Sequence, residues 1–171
     1  YLGIGEGMAK RIAKQFDEFG ETADGVMVAN TERCTDQPAV HAYRAALRDI
    51  PGLRLYAYDE SEHQNYQYIV VDVDAARAGL TRDELVRVLI AENVVARRYF
   101  YPGCHRMEPY RTLDPGASAA LPQTERLCEQ LLTLPTGTAV SAAEIEGIGG
   151  LLALAVRHAA ELRARWEREG G

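Results

Sequence analysis

The sequence predicts an α+β fold: a small antiparallel sheet of about three strands, helices packed mainly on one face, and a long C-terminal helix. Three observations carry this. Two alternating segments, Leu53 to Tyr58 and Asn65 to Asp74, flank a polar turn and read as a hairpin. Two capping boxes, Thr81-Arg82-Asp83-Glu84 and Ser141-Ala142-Ala143-Glu144, open amphipathic runs. Apolar residues at helical spacing from Ile145 to Trp166 mark a long packing helix.

The elements follow in order. Gly3, Gly5 and Gly7 stand before a possible helix from Met8 to Phe19, with no apolar strand ahead of them to make a phosphate cradle. Pro38 opens the next helix, whose buried face is Val40, Tyr43, Leu47 and Ile50, and Pro51-Gly52 ends it. The hairpin comes next. The helix after Thr81 runs to about Glu92 and buries Leu85, Val88 and Leu89. Val94 to Phe100 is the third strand. Residues 101–123 hold four prolines and two glycines and form a long loop. Thr124 opens a short helix containing Leu127 and Leu131, and Leu134-Pro135-Thr136-Gly137 breaks it. The last helix buries Ile145, Ile148, Leu152, Val156, Ala159, Leu162 and Trp166 and ends near Glu169.

Composition narrows the function. Apolar residues at 47% and charged residues at 26% exclude wholesale disorder. A net charge of -6 argues against nucleic acid as partner. The longest apolar or glycine run, Ile148 to Val156, is far shorter than the ~20 residues a bilayer span needs. No secretory signal is visible, so a cytoplasmic location is expected, with no membrane partner. Cys34, Cys104 and Cys128 are odd in number and lack C-x-x-C spacing, which reads as free thiols. The histidines are scattered, so no metal site is expected. The chain begins at Tyr1 and contains only two lysines, Lys10 and Lys14, against seventeen arginines. It reads as a piece of something larger, with few candidates for amine chemistry.

The richest stretch is residues 96–111, with four arginines, four aromatics and His105 in sixteen residues. Guanidinium groups and phenol hydroxyls suit a polar, anionic ligand such as a nucleotide sugar. The competing reading is that the arginines are solvated and the aromatics seal the sheet.

Within that stretch, Arg98-Tyr99-Phe100-Tyr101-Pro102-Gly103-Cys104-His105, followed by Pro109-Tyr110, resembles the C-terminal domain of the DegT/DnrJ/StrS family of PLP-dependent nucleotide-sugar aminotransferases. Arg48 to Leu55, Asn65 to Val71, Leu121 to Leu127 and Leu132-x-Leu134-Pro135 resemble the family in the same order. The resemblance covers residues 39–168. It implies that residues 39–171 are the aminotransferase small domain and residues 1–38 a lead-in from the large-domain junction.

It further implies that Arg98, Tyr101 and His105 bind the sugar-nucleotide substrate. The large domain would hold PLP through a lysine. Lys10 and Lys14 match no such motif, so this chain alone is expected to bind no PLP covalently, to supply no catalytic residue and to be inactive. The implied partners are the chain's own large domain and a second subunit in a homodimer, and the amino donor is an amino acid such as glutamate. The alternatives are a stand-alone relative of the small domain acting as a binding or scaffolding module, and a regulatory ligand-binding module.

Overall fold

The computed structural model describes residues 37–59, 66, 68–137 and 140–170. The expected helix at Met8 to Phe19, the glycine cluster, Cys34, both lysines and most of the turn between the first two strands lie outside the described residues.

Helix α1 spans Gln37–Leu47. Its Val40, Tyr43 and Leu47 recur at three- and four-residue steps and are buried. Pro51 and Gly52 turn the chain into strand β1, Leu53–Leu55, which pairs antiparallel with β2, Ile69–Val73. This is the expected pairing, with the second strand shorter than its β-rich sequence. Asp74 caps a single turn, α2 (Ala75–Ala78), and Thr81 and Glu84 form the capping box of α3 (Arg82–Ala91). The third strand, β3, pairs only over Arg97–Arg98.

After the 3-10 turn Cys104–Arg106 come α4 (Tyr110–Leu113), α5 (Ala117–Ala120) and α6 (Pro122–Gln130). Leu131, expected to lie in a helix, instead starts a fourth strand, β4 (Leu131–Leu134). This strand enters the sheet between β2 and β3, giving the order β1-β2-β4-β3, antiparallel throughout.

The two faces of the sheet differ as the pleat requires. Ile69, Val71, Val73, Leu132 and Leu134 join residues of α1, α3 and the next helix in one core. Val70, Asp72, Leu131 and Thr133 point the other way, where α6 lies against β2. Asp72 is nearly buried there, and Arg54 Nη2 donates to its Oδ2 at 2.7 Å, which offsets the cost of removing a carboxylate from water.

The C-terminal helix is two helices. The first, α7 (Ala142–Arg157), opens on the second capping box. It then breaks at His158, and α8 (Ala159–Gly170) follows. Side chains of α8 contact α3. Arg163 donates to both oxygens of Glu84 at 3.0 and 3.1 Å, and Arg87 lies 4.7 Å from the Trp166 ring centre. The helices α1 and α7 approach closely at Gly149, where an added Cβ would come within 2.6 Å of Ala46 Cβ.

Candidate substrate-binding site

The site forms where the start of α3 meets β3. The Thr81 cap fixes the first turn of α3: Thr81 N donates to Glu84 Oε2 at 2.6 Å, and Glu84 N donates to Thr81 Oγ1 at 3.2 Å. This turn presents Arg82 and Asp83 to the sheet. Arg82 is 3% exposed, so its charge needs compensation. Its Nη1 donates to Leu131 O at 2.7 Å and its Nε to Asp83 Oδ1 at 2.5 Å.

Arg98 projects from β3 toward the same carboxylate, its Nε 3.5 Å from Asp83 Oδ1. Its guanidinium carbon lies 4.5 Å from the Tyr101 ring centre, and that of Arg82 lies 5.4 Å from it. Two guanidiniums thus share one aromatic ring and one carboxylate, an arrangement with a surplus positive charge. The Arg98 side chain is 43% exposed and Tyr101 48%, so both remain open to a ligand. Tyr99, next along the chain, turns to Tyr68 instead, with ring centres 5.4 Å apart. Burial, and to a lesser degree neighbouring Tyr68, push its phenol pKa up.

His105 has a different environment. It lies on the 3-10 turn, its side chain 7% exposed, with Nε2 2.7 Å from Glu125 Oε1 on α6. Arg106 donates to the same carboxylate, its Nε 3.1 Å from Oε1 and its Nη2 on Oε2. The backbone cooperates. Gly103 adopts φ +94°, and a Cβ there would meet His105 Cε1 at 2.7 Å and Cys128 Sγ at 3.0 Å. Cys128 Sγ in turn donates to Phe100 O at 3.4 Å. The loop is therefore pinned to α6 at three points. Beyond it, hydrogen bonds from Thr112 and Arg111 hold the exposed Glu108 carboxyl below the ordinary carboxylate range.

Of the three residues singled out in the sequence, the structure brings Arg98 and Tyr101 into contact and gives His105 to Glu125. Arg82, Asp83 and Glu125 were not singled out. Arg82 and Asp83 were visible only as the interior of a capping box, and Glu125 only within the Leu121–Leu127 motif.

Residues 37–170 contain no lysine, so none of the described residues has the amine that anchors PLP. Among the described residues, no group of three His, Cys, Asp or Glu side chains is placed to hold a metal ion. Cys104, exposed, and Cys128, buried, are free thiols, and no described helix is long and apolar enough to cross a membrane.

Comparison with known proteins adds an independent line. The chain is 29% identical over 96 residues to dTDP-4-amino-4,6-dideoxy-D-glucose transaminase of Escherichia coli, covering 56% of this chain and 26% of that protein. The enzyme of the same name from Shigella dysenteriae is 30% identical over 106 residues, 62% of this chain and 28% of the relative. The crystal structure of DesI in the presence of its TDP-sugar product superposes with a TM-score of 0.71 at 41% identity, covering 80% of this chain and 34% of DesI. The aminotransferase TlmJ from Streptoalloteichus hindustanus superposes with a TM-score of 0.58 at 26% identity, covering 71% of this chain and 31% of TlmJ. The chain thus spans about a quarter to a third of the length of these relatives. The DegT/DnrJ/EryC1/StrS sequence model matches residues 29–152, a span that holds the whole sheet, the arginine–tyrosine contact and the pinned loop. The chain belongs to the DegT/DnrJ/EryC1/StrS aminotransferase family.

Proposed function

We propose that this chain is the C-terminal part of a cytoplasmic, PLP-dependent sugar aminotransferase. The whole enzyme would move an amino group from an amino acid, glutamate in the first instance, to a keto-sugar nucleotide. In this reading residues 39–171 are the small domain and residues 1–38 its junction with the large domain. The large domain and a second subunit complete the enzyme as a homodimer.

The observation that carries the reading is the half-exposed Arg98 on Tyr101, within the span matched by the family. PLP, held by a lysine of the large domain, supplies the amino-group chemistry. The residues of this chain bind and orient. Arg98 offers a guanidinium fork to a phosphate oxygen of the sugar nucleotide. Tyr101 presents its ring and hydroxyl beside it, and Arg82, fixed on Leu131 O, holds that ring from beneath. His105 acts through position: paired with Glu125, it sets the course of the loop that carries Tyr101.

The test is kinetic. The full-length protein, given PLP, glutamate and a dTDP-4-keto-6-deoxyhexose, should form the amino sugar nucleotide and 2-oxoglutarate. Arg98→Ala should raise KM for the sugar nucleotide about tenfold, the loss of one charge-assisted contact, and leave the half-reaction with glutamate unchanged. A second reading, a non-catalytic binding module, is favoured by Gly5 and Gly7, which stand where the family resemblance places an asparagine and a basic residue. Sugar-nucleotide binding without turnover in the full-length protein would select it.

A further inference from the structure

At the β1 edge of the sheet, opposite the β3 edge that carries Arg98, lies a cleft of about 500 Å³. Arg48, Arg54, Arg77 and Arg126 line it, together with Asp72 and Asp74. The four guanidiniums come from four separate places: the end of α1, β1, α2 and α6.

The two carboxylates offset only part of this set: four guanidiniums against two carboxylates leave a surplus of two positive charges. Asp72 is engaged with Arg54 at 2.7 Å. Asp74 caps α2, its Oδ1 accepting from the backbone N of Ala76 at 3.1 Å and of Arg77 at 3.3 Å. Arg126 is held by two neutral acceptors, Gln123 Oε1 at 3.3 Å and Gln130 Oε1 at 3.0 Å, which orient its guanidinium without cancelling its charge. Arg48 and Arg77 form no ion pair among the described residues.

We propose that this cleft binds a pyrophosphate group through Arg48, Arg77 and Arg126. Three guanidiniums that pair with no carboxylate among the described residues line one concavity and focus positive potential there, in a chain whose net charge is -6. Guanidinium forks match the oxygens of phosphates, and several forks suit a multiply charged group better than a single carboxylate. Among the described residues the apolar lining is Ile50 and Leu53, and none of those lining the cleft is an aromatic that could stack a base. The cleft therefore reads the phosphates, whether the pyrophosphate is free or is the end of a small molecule. It is distinct from the substrate site above and does not depend on it.

The test is calorimetric titration of the full-length protein with sodium pyrophosphate at low ionic strength, against a chloride control of matched ionic strength. Arg77→Gln and Arg126→Gln should each weaken binding about tenfold, the loss of one charge-assisted contact. Arg87→Gln, which removes the same charge on α3 outside the cleft, should leave it unchanged. Thermal melts of the variants check that the fold is retained. The titration is repeated with thymidine diphosphate, for which the Arg77→Gln loss should be similar. No binding, an equal loss in Arg87→Gln, a loss seen only with thymidine diphosphate, or a loss produced by Arg98→Ala in place of the cleft variants would overturn the proposal. The last result would assign pyrophosphate to the loop site. Absence of transaminase activity would leave this binding result untouched.

Discussion

His105 and Glu125, 20 residues apart in sequence, close the arginine-rich loop onto α6 with Nε2 and Oε1 2.7 Å apart. Arg106 converges on the same carboxylate, so one side chain terminates two contacts. Glu125→Ala should therefore destabilise the protein by about 1–3 kcal/mol, the range for leaving charged or buried partners unsatisfied. His105→Ala in the Glu125→Ala background should cost much less than in the wild type. Thermal or urea unfolding of the four proteins in the cycle measures this, and additive losses would mean that the bond does not hold the loop.

Gly149 and Gly150 should respond in opposite directions to the same change. A Cβ at Gly149 meets Ala46 Cβ at 2.6 Å, with Ala46 O at 3.3 Å, whereas a Cβ at Gly150 meets nothing within 4 Å. Gly149→Ala forces α1 and α7 apart and should cost about 1–3 kcal/mol. Gly150→Ala removes backbone freedom from the unfolded chain at an open helical position and should add about 0.5–1 kcal/mol. Denaturant midpoints decide it, and a shift of the same sign in both variants would contradict the close helix contact.

The Glu84 carboxyl gives a pH-dependent term. Burial raises its pKa, but the hydrogen bonds from Arg163 and Thr81 outweigh burial, so the net shift is downward from 4.5. A carboxyl with a folded pKa below its unfolded value stabilises the native state above the unfolded pKa. That contribution is lost as pH falls through the folded pKa. The stability difference between wild type and Glu84→Gln should thus be level near neutrality and shrink as pH drops below about 4.5. A difference that grows on acidification would reverse the sign of the assigned shift.

PLP followed by borohydride gives the simplest chemical test of the chain itself. With Lys10 and Lys14 its only lysines, the chain should show no stoichiometric label at either position on peptide mapping. A single, fully labelled Lys10 or Lys14 would place the cofactor anchor in this chain.

What the sequence disclosed was local. Thr81 with Glu84, and Ser141 with Glu144, are hydrogen-bonded within four residues, and both capping boxes form as their spacing dictates. The α1 face of Val40, Tyr43 and Leu47 is equally local. Leu131 was misplaced because Leu127 and Leu131 keep helical spacing, while its strand conformation depends on β2 and β3 flanking it. The periodicity from Ile145 to Trp166 continues through His158, where helical hydrogen bonds still run from His158 N to Leu154 O and from Leu162 N to His158 O, so the pattern of apolar residues does not mark the interruption. The same holds for the site. The adjacent arginines and aromatics named Arg98 and Tyr101, but the buried Arg82 and the shared Asp83 come from 16 and 15 residues before Arg98 in sequence.

The position of β4 in the sheet sets an order of assembly. Arg97 and Arg98 pair with Thr133 and Leu132 and with no other strand. During synthesis, the strand bearing Arg98 emerges without its β4 partner until the chain has grown past residue 134. Bringing β3 and β4 together closes a loop of more than thirty residues, an entropic cost that short-range pairing does not incur. The hairpin of β1 and β2 can form early, but β3 joins the sheet only when β4 docks. The Arg82–Asp83–Arg98–Tyr101 cluster therefore gains its sheet support late in folding, and a ribosome-bound chain halted before Leu131 would carry all four residues without the strand that holds β3 in the sheet.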